Sequence, residues 1–375
     1  MTRHTYFAMC ARGLEPVLHQ EIKDLRFGKV ERQTGGVRFE GTLSDGWKAN
    51  LWLRTAGKVL LRLERFPAAS SDSLHSGILR MPWEEWLAPE GTLRVDAQTT
   101  DSALDHSRFI EQRVKDAICD RFREREGVRP SVGGEDADLR VHLHLFRDRA
   151  TVSIDMSGAP LRKRGWRVDR AQAPLAETLA AGLVLGSGWG GKSPLIDPFC
   201  GSGTILVEAG LIATNTAPGL GREIFGFERW PAHDARAYER LRAKADAERR
   251  PLGKVQLVGS DREPARVEET LANLDAAGLR GRVEPGDARH FAPKAGWNGT
   301  VVSNLPYGKR VGSDAEVIPL HREFGARLRE NCGGYSVALL TAAGQLAGSL
   351  GIPNARRVPL ANGGIECERV MAELD

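Results

Sequence analysis

The chain has 375 residues, 41% of them hydrophobic and 27% charged, with a formal net charge of +4. Such a composition supports two or three packed domains and excludes a disordered or fibrous chain, and no apolar run is long enough to span a membrane. The mild positive balance permits a nucleic-acid partner without demanding one, so where the cations cluster matters more than their sum.

The N-terminus, MTRHTYFAMCARGLEP, lacks the apolar core of a secretory signal, so a cytoplasmic location and no membrane partner are expected. YFAMCA reads as a strand and LEPVLHQEIKDL as an amphipathic helix with Pro16 in its first turn. KVERQTGGVRFEG reads as a hairpin about Gly35 and Gly36. From about Asp45 a second stretch begins: helical DGWKANLWLRTA, strand-like VLLRLERF and a Ser-rich break at PAASSDS. Strand TLRVDAQTT, the charged helix SRFIEQRVKDAICDRFREREG and LRVHLHLFRDRATVSIDMSG, two strands about Asp148, complete an α+β half. Five cysteines (Cys10, Cys119, Cys200, Cys332, Cys367) stand singly, without a C-x-x-C pair. They predict neither a disulfide framework nor a zinc site. His142 and His144 share one strand face, but no third ligand accompanies them, and no metal is expected.

The third region opens with LRKRGWRVDR, where Arg162, Lys163, Arg164, Arg167 and Arg170 crowd around Trp166 before a helix capped near Pro174. Strands and helices then alternate through PLIDPF, GTILVEAGLIA, VQLVGSD, ARVEETLANLDAAG, GRVEPGDA, TVVSNLPYG, LHREFGARLRENC and YSVALLTAA. This predicts an open, mostly parallel sheet with helices on both faces. RRVPLANGGIECERVMAEL, with Asn362, Gly363 and Gly364 between strand-like runs, predicts a terminal antiparallel hairpin.

In such a sheet a ligand sits beyond the carboxyl ends of the strands. At the first of them, DPFCGSGT, Asp197 ends the strand, Gly201 and Gly203 allow a tight turn, and Thr204 opens a helix whose free N–H groups face a ligand. No Gly-Lys-Ser/Thr follows, and Leu206 replaces the third glycine of the dinucleotide fingerprint. A carboxylate ahead of the glycines suits a ligand with a positive charge and repels a pyrophosphate. At the second, Asp261 can accept from both ribose hydroxyls. It lies 64 residues beyond Asp197, against about 20 for a bare βαβ unit. GREIFGFERWPAHDARAYERLRAKADAERR is therefore an insertion, or else Glu228 is the ribose ligand. The third tail offers Asp287 for an adenine amino group.

The fourth, VVSNLPYGKR, joins a strand to Asn304, Leu305, Pro306 and Tyr307. An exocyclic amine on a base is a poor nucleophile because its lone pair is delocalised, so its hydrogens must be held by acceptors. The Asn304 side-chain oxygen and the Leu305 carbonyl can hold them jointly, with Pro306 keeping Leu305 extended and Tyr307 stacking on the base. Cys200, inside the glycine loop, reads as a small packing residue.

DPFCGSGT followed by NLPYG resembles the S-adenosylmethionine site and Asn/Asp-Pro-Pro-Tyr motif of class I amino-methyltransferases. FAMCARGLEPVLHQEI, LRKRGWR…APLAETLAAGLVLGSGW and NGGIEC narrow the resemblance to the THUMP-containing RNA guanine-N2 methyltransferases, including bacterial enzymes that act on large-subunit ribosomal RNA. The resemblance implies an α/β architecture: a ferredoxin-like domain over residues 1–48, a THUMP RNA-binding domain over 49–160 and a Rossmann-like methyltransferase domain over 161–375. It implies S-adenosylmethionine as cofactor, bound by Asp197, Gly201 and Gly203 at its methionine part, Asp261 at the ribose, and Asp287 with Ala288 at the adenine, with Pro198 and Thr204 also among the cofactor-binding residues. Asn304, Leu305, Pro306 and Tyr307 would hold the target guanine. Leu305 departs from the first proline of many relatives, which keeps the carbonyl and loosens the loop.

The implied activity is methylation of a guanosine N2 amine in RNA, ribosomal RNA being favoured. The alternatives are a tRNA guanine-N2 enzyme, a DNA adenine-N6 enzyme, and an RNA-binding assembly factor without catalysis. Cation-rich RFREREGVR and LRKRGWR, the second with an aromatic inside, read as a backbone-tracking surface.

Overall fold

The computed structural model describes residues 2–168, 175–307 and 314–375. Its N-terminal half comprises β1 (His4–Met9), α1 (Glu15–Asp24), β2 (Gly28–Gln33), β3 (Gly36–Gly41), α2 (Leu43–Trp52), β4 (Lys58–Pro67), α3 (Ser71–Leu79), β5 (Thr92–Thr100), α4 (Ser107–Glu126), β6 (Ser131–Val132), β7 (Leu139–Phe146) and β8 (Arg149–Asp155). All eight strands form one sheet in the order β2-β3-β1-β4-β8-β7-β5-β6. β4 joins the two expected α+β units, pairing antiparallel with β1 on one edge and with β8 on the other. A domain boundary at residue 48 falls inside α2, where Trp47, Ala49 and Leu51 are buried. The Ser-rich break is instead a helix start: Ser70 and Ser73 form a reciprocal capping box at the head of α3. Arg147 and Asp148, at φ 49° and 54°, make the two-residue turn between β7 and β8.

The C-terminal half comprises α5 (Glu177–Gly186), β9 (Leu195–Asp197), α6 (Thr204–Ala213), α7 (Ala235–Ala247), β10 (Leu257–Asp261), α8 (Pro264–Ala276), β11 (Arg282–Pro285), β12 (Thr300–Asn304), α9 (Asp314–Asn331), β13 (Ser336–Ala342), α10 (Gln345–Ser349), β14 (Arg356–Asn362) and β15 (Ile365–Glu373). The sheet order is β11-β10-β9-β12-β13-β15-β14. β11 to β13 run parallel, and β15 and β14 close the edge as the expected antiparallel hairpin. The near-continuous apolar strands have a physical cause. Val302, Ala338 and Leu340 pack into one core, while their neighbours Val301, Val337 and Leu339 pack into another. Alternate residues enter opposite faces, so a sheet covered on both sides needs apolar residues at every position. After β9 the chain builds outward through β10 and β11, then returns to place β12 on the other side. That reversal is the switch point where the strand ends leave a crevice.

The insertion after α6 ties the two halves together. Phe225, Phe227, Trp230 and Tyr238 belong to the N-terminal core, with Phe227 stacked 6.0 Å from Trp47 and the Phe227 N–H donating to Met156 O at 3.0 Å.

The cluster LRKRGWR does not form the expected basic surface. Arg164 is buried, paired with Glu208 at 3.3 Å and donating to Leu161 O at 2.7 Å and to Arg54 O. Trp166 is 7% exposed and cannot offer a face to a base. Arg167 is bonded to the glycine loop, leaving Arg162 and Lys163 exposed. In RFREREGVR, Arg121 pairs with Glu84 and Arg123 with Asp120. Desolvating Arg164 is offset by partners inside the protein, whereas Arg123, Arg125 and Arg129 of RFREREGVR remain exposed. Arg170, Pro174 and residues 308–310 lie outside the described residues.

Candidate active site

β11, β10, β9 and β12 are consecutive neighbours, so their carboxyl ends stand side by side at about 4.8 Å spacing. Asp287 follows the first of these strands, while Asp261, Asp197 and Asn304 are the last residues of the other three.

Between β9 and α6 the loop reverses through Gly201 (φ 53°) and Gly203 (φ 76°). A Cβ at Gly203 would lie 2.6 Å from Thr270 Cγ2, whereas one at Gly201 would meet nothing within 4 Å. The second glycine is thus packed against α8 and the first faces open space. The Gly201 N–H donates to Asp261 Oδ2 at 3.0 Å, and the Glu263 N–H to Asp261 Oδ1 at 3.0 Å. Asp261 therefore spans the first and second strand ends. Thr270 Oγ1 donates to Gly201 O at 2.7 Å and Asn273 Nδ2 to Ser202 O at 2.9 Å. Arg167 donates to Ser202 Oγ at 3.1 Å and Thr204 Oγ1 at 3.0 Å while paired with Glu177 at 2.9 Å. Pro198 and Thr204 are buried at the two ends of the loop.

Asp197, the residue expected to meet a positive ligand, is 1% exposed. Its Oδ1 accepts from Ser303 Oγ at 2.6 Å and from the Phe199 N–H at 3.2 Å. Burial, with the nearby Asp261 charge, pushes its carboxyl up to about 7 despite these two donors. It acts first as a brace between β9 and β12, and only its Oδ2 is without a hydrogen bond among the described residues. Cys200 is buried under the loop, and burial pushes its thiol far above the ordinary range, away from nucleophilic duty.

Glu228 stands elsewhere. It lies in the short turn Gly226–Arg229 on the N-terminal core, where its Oε1 accepts from the Phe225 N–H at 2.8 Å. Of the two ribose candidates, Asp261 alone is beside the glycine loop. Asp287 caps the turn Ala288–His290 and pairs with Arg289, whose Nε lies 3.0 Å from both carboxylate oxygens. That ion pair holds its carboxyl down at about 2. Ala288 is buried beneath it.

At the fourth strand end, Asn304 Oδ1 is buried with no hydrogen-bond partner among the described residues. Leu305 is 1% exposed, and its N–H donates to Leu340 O at 2.9 Å. Pro306 O lies 3.0 Å from His321 Nε2, and the Tyr307 hydroxyl accepts from Asn362 Nδ2 at 2.6 Å. Ser303, Thr270, Asn273 and His321 were not marked by the sequence as site residues, and Arg167 was read only as part of a basic surface, because each acts through a residue distant in sequence. Among the described residues no group of three or more metal-ligating side chains gathers, and no helix is long and apolar enough to cross a membrane.

Comparison with known proteins agrees with this geometry. Residues 164–371 match the family described as an RMKL-like methyltransferase domain, residues 5–60 the RlmL ferredoxin-like domain and residues 68–155 the THUMP domain. Proteins from Methylococcus capsulatus and Syntrophotalea carbinolica, both named ribosomal RNA large subunit methyltransferase K/L, are 41% and 40% identical over 100% and 96% of this chain and 52% of their own length. The chain thus spans about half the length of the curated relatives it matches. Among solved structures, SMU.472, described as a methyltransferase and complexed with SAH, superposes with a TM-score of 0.89 at 29% identity, covering 100% of this chain and 99% of that one. A Listeria monocytogenes protein described as an N6-adenine-specific DNA methylase gives 0.90 at 30% identity, covering 100% and 97%. On a glycine loop, four aligned strand ends and these matches, the chain belongs to the RMKL-like methyltransferase family, with an RlmL-type ferredoxin-like domain and a THUMP domain ahead of the methyltransferase domain.

Proposed function

We propose that the chain methylates the exocyclic N2 amine of a guanosine in RNA, with large-subunit ribosomal RNA as substrate and S-adenosylmethionine as cofactor. The observation that carries this reading is the orphaned Asn304 oxygen. A buried amide oxygen without a donor costs roughly 1–3 kcal/mol, a cost that an incoming amine would remove.

The residues present fit the cofactor. Gly201 offers a bare backbone to open space, and the Asp261 carboxylate beside it suits vicinal hydroxyls. SMU.472, alike over its whole length, was crystallised with SAH. Gly201, Gly203 and Asp197 Oδ2 would hold the methionine part, Asp261 the ribose, and Ala288 with Asp287 the adenine, provided that Arg289 yields. When bound, S-adenosylmethionine supplies an electrophilic sulfonium methyl group.

The chain's own contribution is positioning. Asn304 Oδ1 and the Leu305 carbonyl accept the two amine hydrogens, which turns the nitrogen lone pair out of conjugation with the ring. Pro306 holds Leu305 extended and Tyr307 lies against the base. A base reaches these acceptors only after leaving its stack, so a single-stranded or flexible RNA element is the expected substrate. RNA of this kind is met in the cytoplasm.

The likeness to the Listeria protein keeps DNA adenine-N6 methylation as a second reading. Incubating the chain with labelled cofactor and ribosomal RNA, transfer RNA or DNA, followed by nucleoside mass spectrometry, separates them: N2-methylguanosine is expected in ribosomal RNA. Label in N6-methyladenine from DNA overturns the proposal in favour of the second reading, and SAH binding without transfer to any nucleic acid points to an assembly factor. Asn304→Ala is expected to abolish transfer while calorimetry shows unchanged SAH affinity; retained turnover refutes the assignment. Asp261→Ala is expected to weaken SAH binding about tenfold or more, and normal affinity removes it from the ribose site.

A further inference from the structure

The loop 304–307 presents two acceptors but is poor in internal restraint. Pro306 has no N–H and Leu305 replaces the first proline, so beyond the restraint that Pro306 places on Leu305 and the Leu305 N–H bond to Leu340 O, the aim of the carbonyl depends on contacts made to the rest of the loop. Two side chains from other elements make such contacts. His321 on α9 is 0% exposed, with Nε2 3.0 Å from Pro306 O and Nδ1 3.2 Å from Leu346 O of α10. Asn362, the last residue of β14, donates from Nδ2 to the Tyr307 hydroxyl at 2.6 Å. One contact lies directly after the Leu305 carbonyl and the other fixes the ring. Among the described residues neither satisfies Asn304 Oδ1 itself.

We infer that His321 and Asn362 are positioning residues that aim the Leu305 carbonyl and the Tyr307 ring, by gripping Pro306 O from α9 and the phenol from the β14–β15 turn. This rests on the amine-binding reading of the loop. A neutral imidazole carries one N–H, so only one of the two carbonyl contacts is then a full hydrogen bond. The inference requires the shorter one, to Pro306. Since Tyr307 accepts from Asn362, its own O–H hydrogen is directed elsewhere, and the turn at Gly363 and Gly364 becomes part of the wall around the base.

A pair of substitutions distinguishes aiming from packing. The His321→Gln amide nitrogen reaches the place of Nε2, whereas that of His321→Asn reaches only the place of Nδ1. His321→Asn is expected to lower kcat about 10- to 100-fold and to speed hydrogen exchange in the peptide spanning residues 300–307. His321→Gln is expected to stay within about threefold of the parent, and both should have unchanged SAH affinity and similar melting temperatures. Equal loss in the two variants, in step with their melting temperatures, or unchanged exchange in both, overturns the role of His321. Asn362→Leu is expected to lower kcat about tenfold, and its combination with Tyr307→Phe to lose no more than the worse single variant. Multiplying losses show that Asn362 does not act through Tyr307. If the parent transfers no methyl to any RNA, the proposed function fails, while the exchange comparison still judges the clamp.

Discussion

Asp197 illustrates how much a residue's role depends on its depth. Its place at a strand end before two glycines suggests a ligand carboxylate, yet the fold buries it, and its carboxyl is pushed up to about 7. A carboxyl held above its unfolded value binds more protons in the folded state. The stability it contributes is full below the ordinary carboxylate range and is lost as pH rises through about 7. Relative to Asp197→Asn, the parent should therefore melt progressively earlier between pH 4.5 and pH 8. Thermal melts of both proteins across that range test this, and a constant difference in melting temperature contradicts it. The place of Asn304 at a strand end, by contrast, was legible from sequence because an apolar run followed by Asn-Leu-Pro marks it locally. His321 was not, because nothing in LHREFGARLREN indicates that its ring meets the carbonyl of Pro306, fifteen residues earlier.

The glycine loop is an element whose two positive-φ residues do different work. At either position an alanine costs roughly 1–2 kcal/mol of left-handed strain. Gly203→Ala must in addition displace Thr270, the side chain that holds Gly201 O. Gly203→Ala is thus expected to lower the melting temperature clearly more than Gly201→Ala, which should instead lose SAH affinity because its methyl enters the ligand space. Calorimetry and melting of the two variants check this, and a reversal of the order would show that the loop faces the other way. The strands and helices of this half were readable in order from apolar runs and turn residues. The Ser-rich break was misread because a capping box and a loop share the same composition, and only the reciprocal bonds of Ser70 and Ser73 distinguish them.

For the whole molecule, the decisive feature is the joint. Arg164 and Glu208 are both buried where the segment after β8 meets α6, and Arg222 donates to the carbonyls of Pro160 and Lys163 at 2.9 and 2.6 Å. Arg164→Met leaves Glu208 buried without its partner and is expected to cost about 3–5 kcal/mol. Adding Glu208→Gln should recover part of that, since the uncompensated charge is gone. Urea unfolding of both single variants and the double variant measures it, and additive losses would show that the pair is not coupled.

Sequence by itself determined the alternation of elements, the glycine loop, the Asn-Leu-Pro-Tyr segment at the end of its strand and the family resemblance, because each is written in residues a few positions apart. The tertiary structure alone decided that β4 merges the N-terminal units into one sheet, that Arg164 and Arg167 of LRKRGWR turn to partners inside the protein while Arg162 and Lys163 stay exposed, that Asp261 rather than Glu228 adjoins the glycine loop, and that Pro306 and Tyr307 are contacted from α9 and β14. These depend on which side chains become buried and whom they meet there. The desolvation that forces a buried polar group to find a partner exists only once the chain has closed around it.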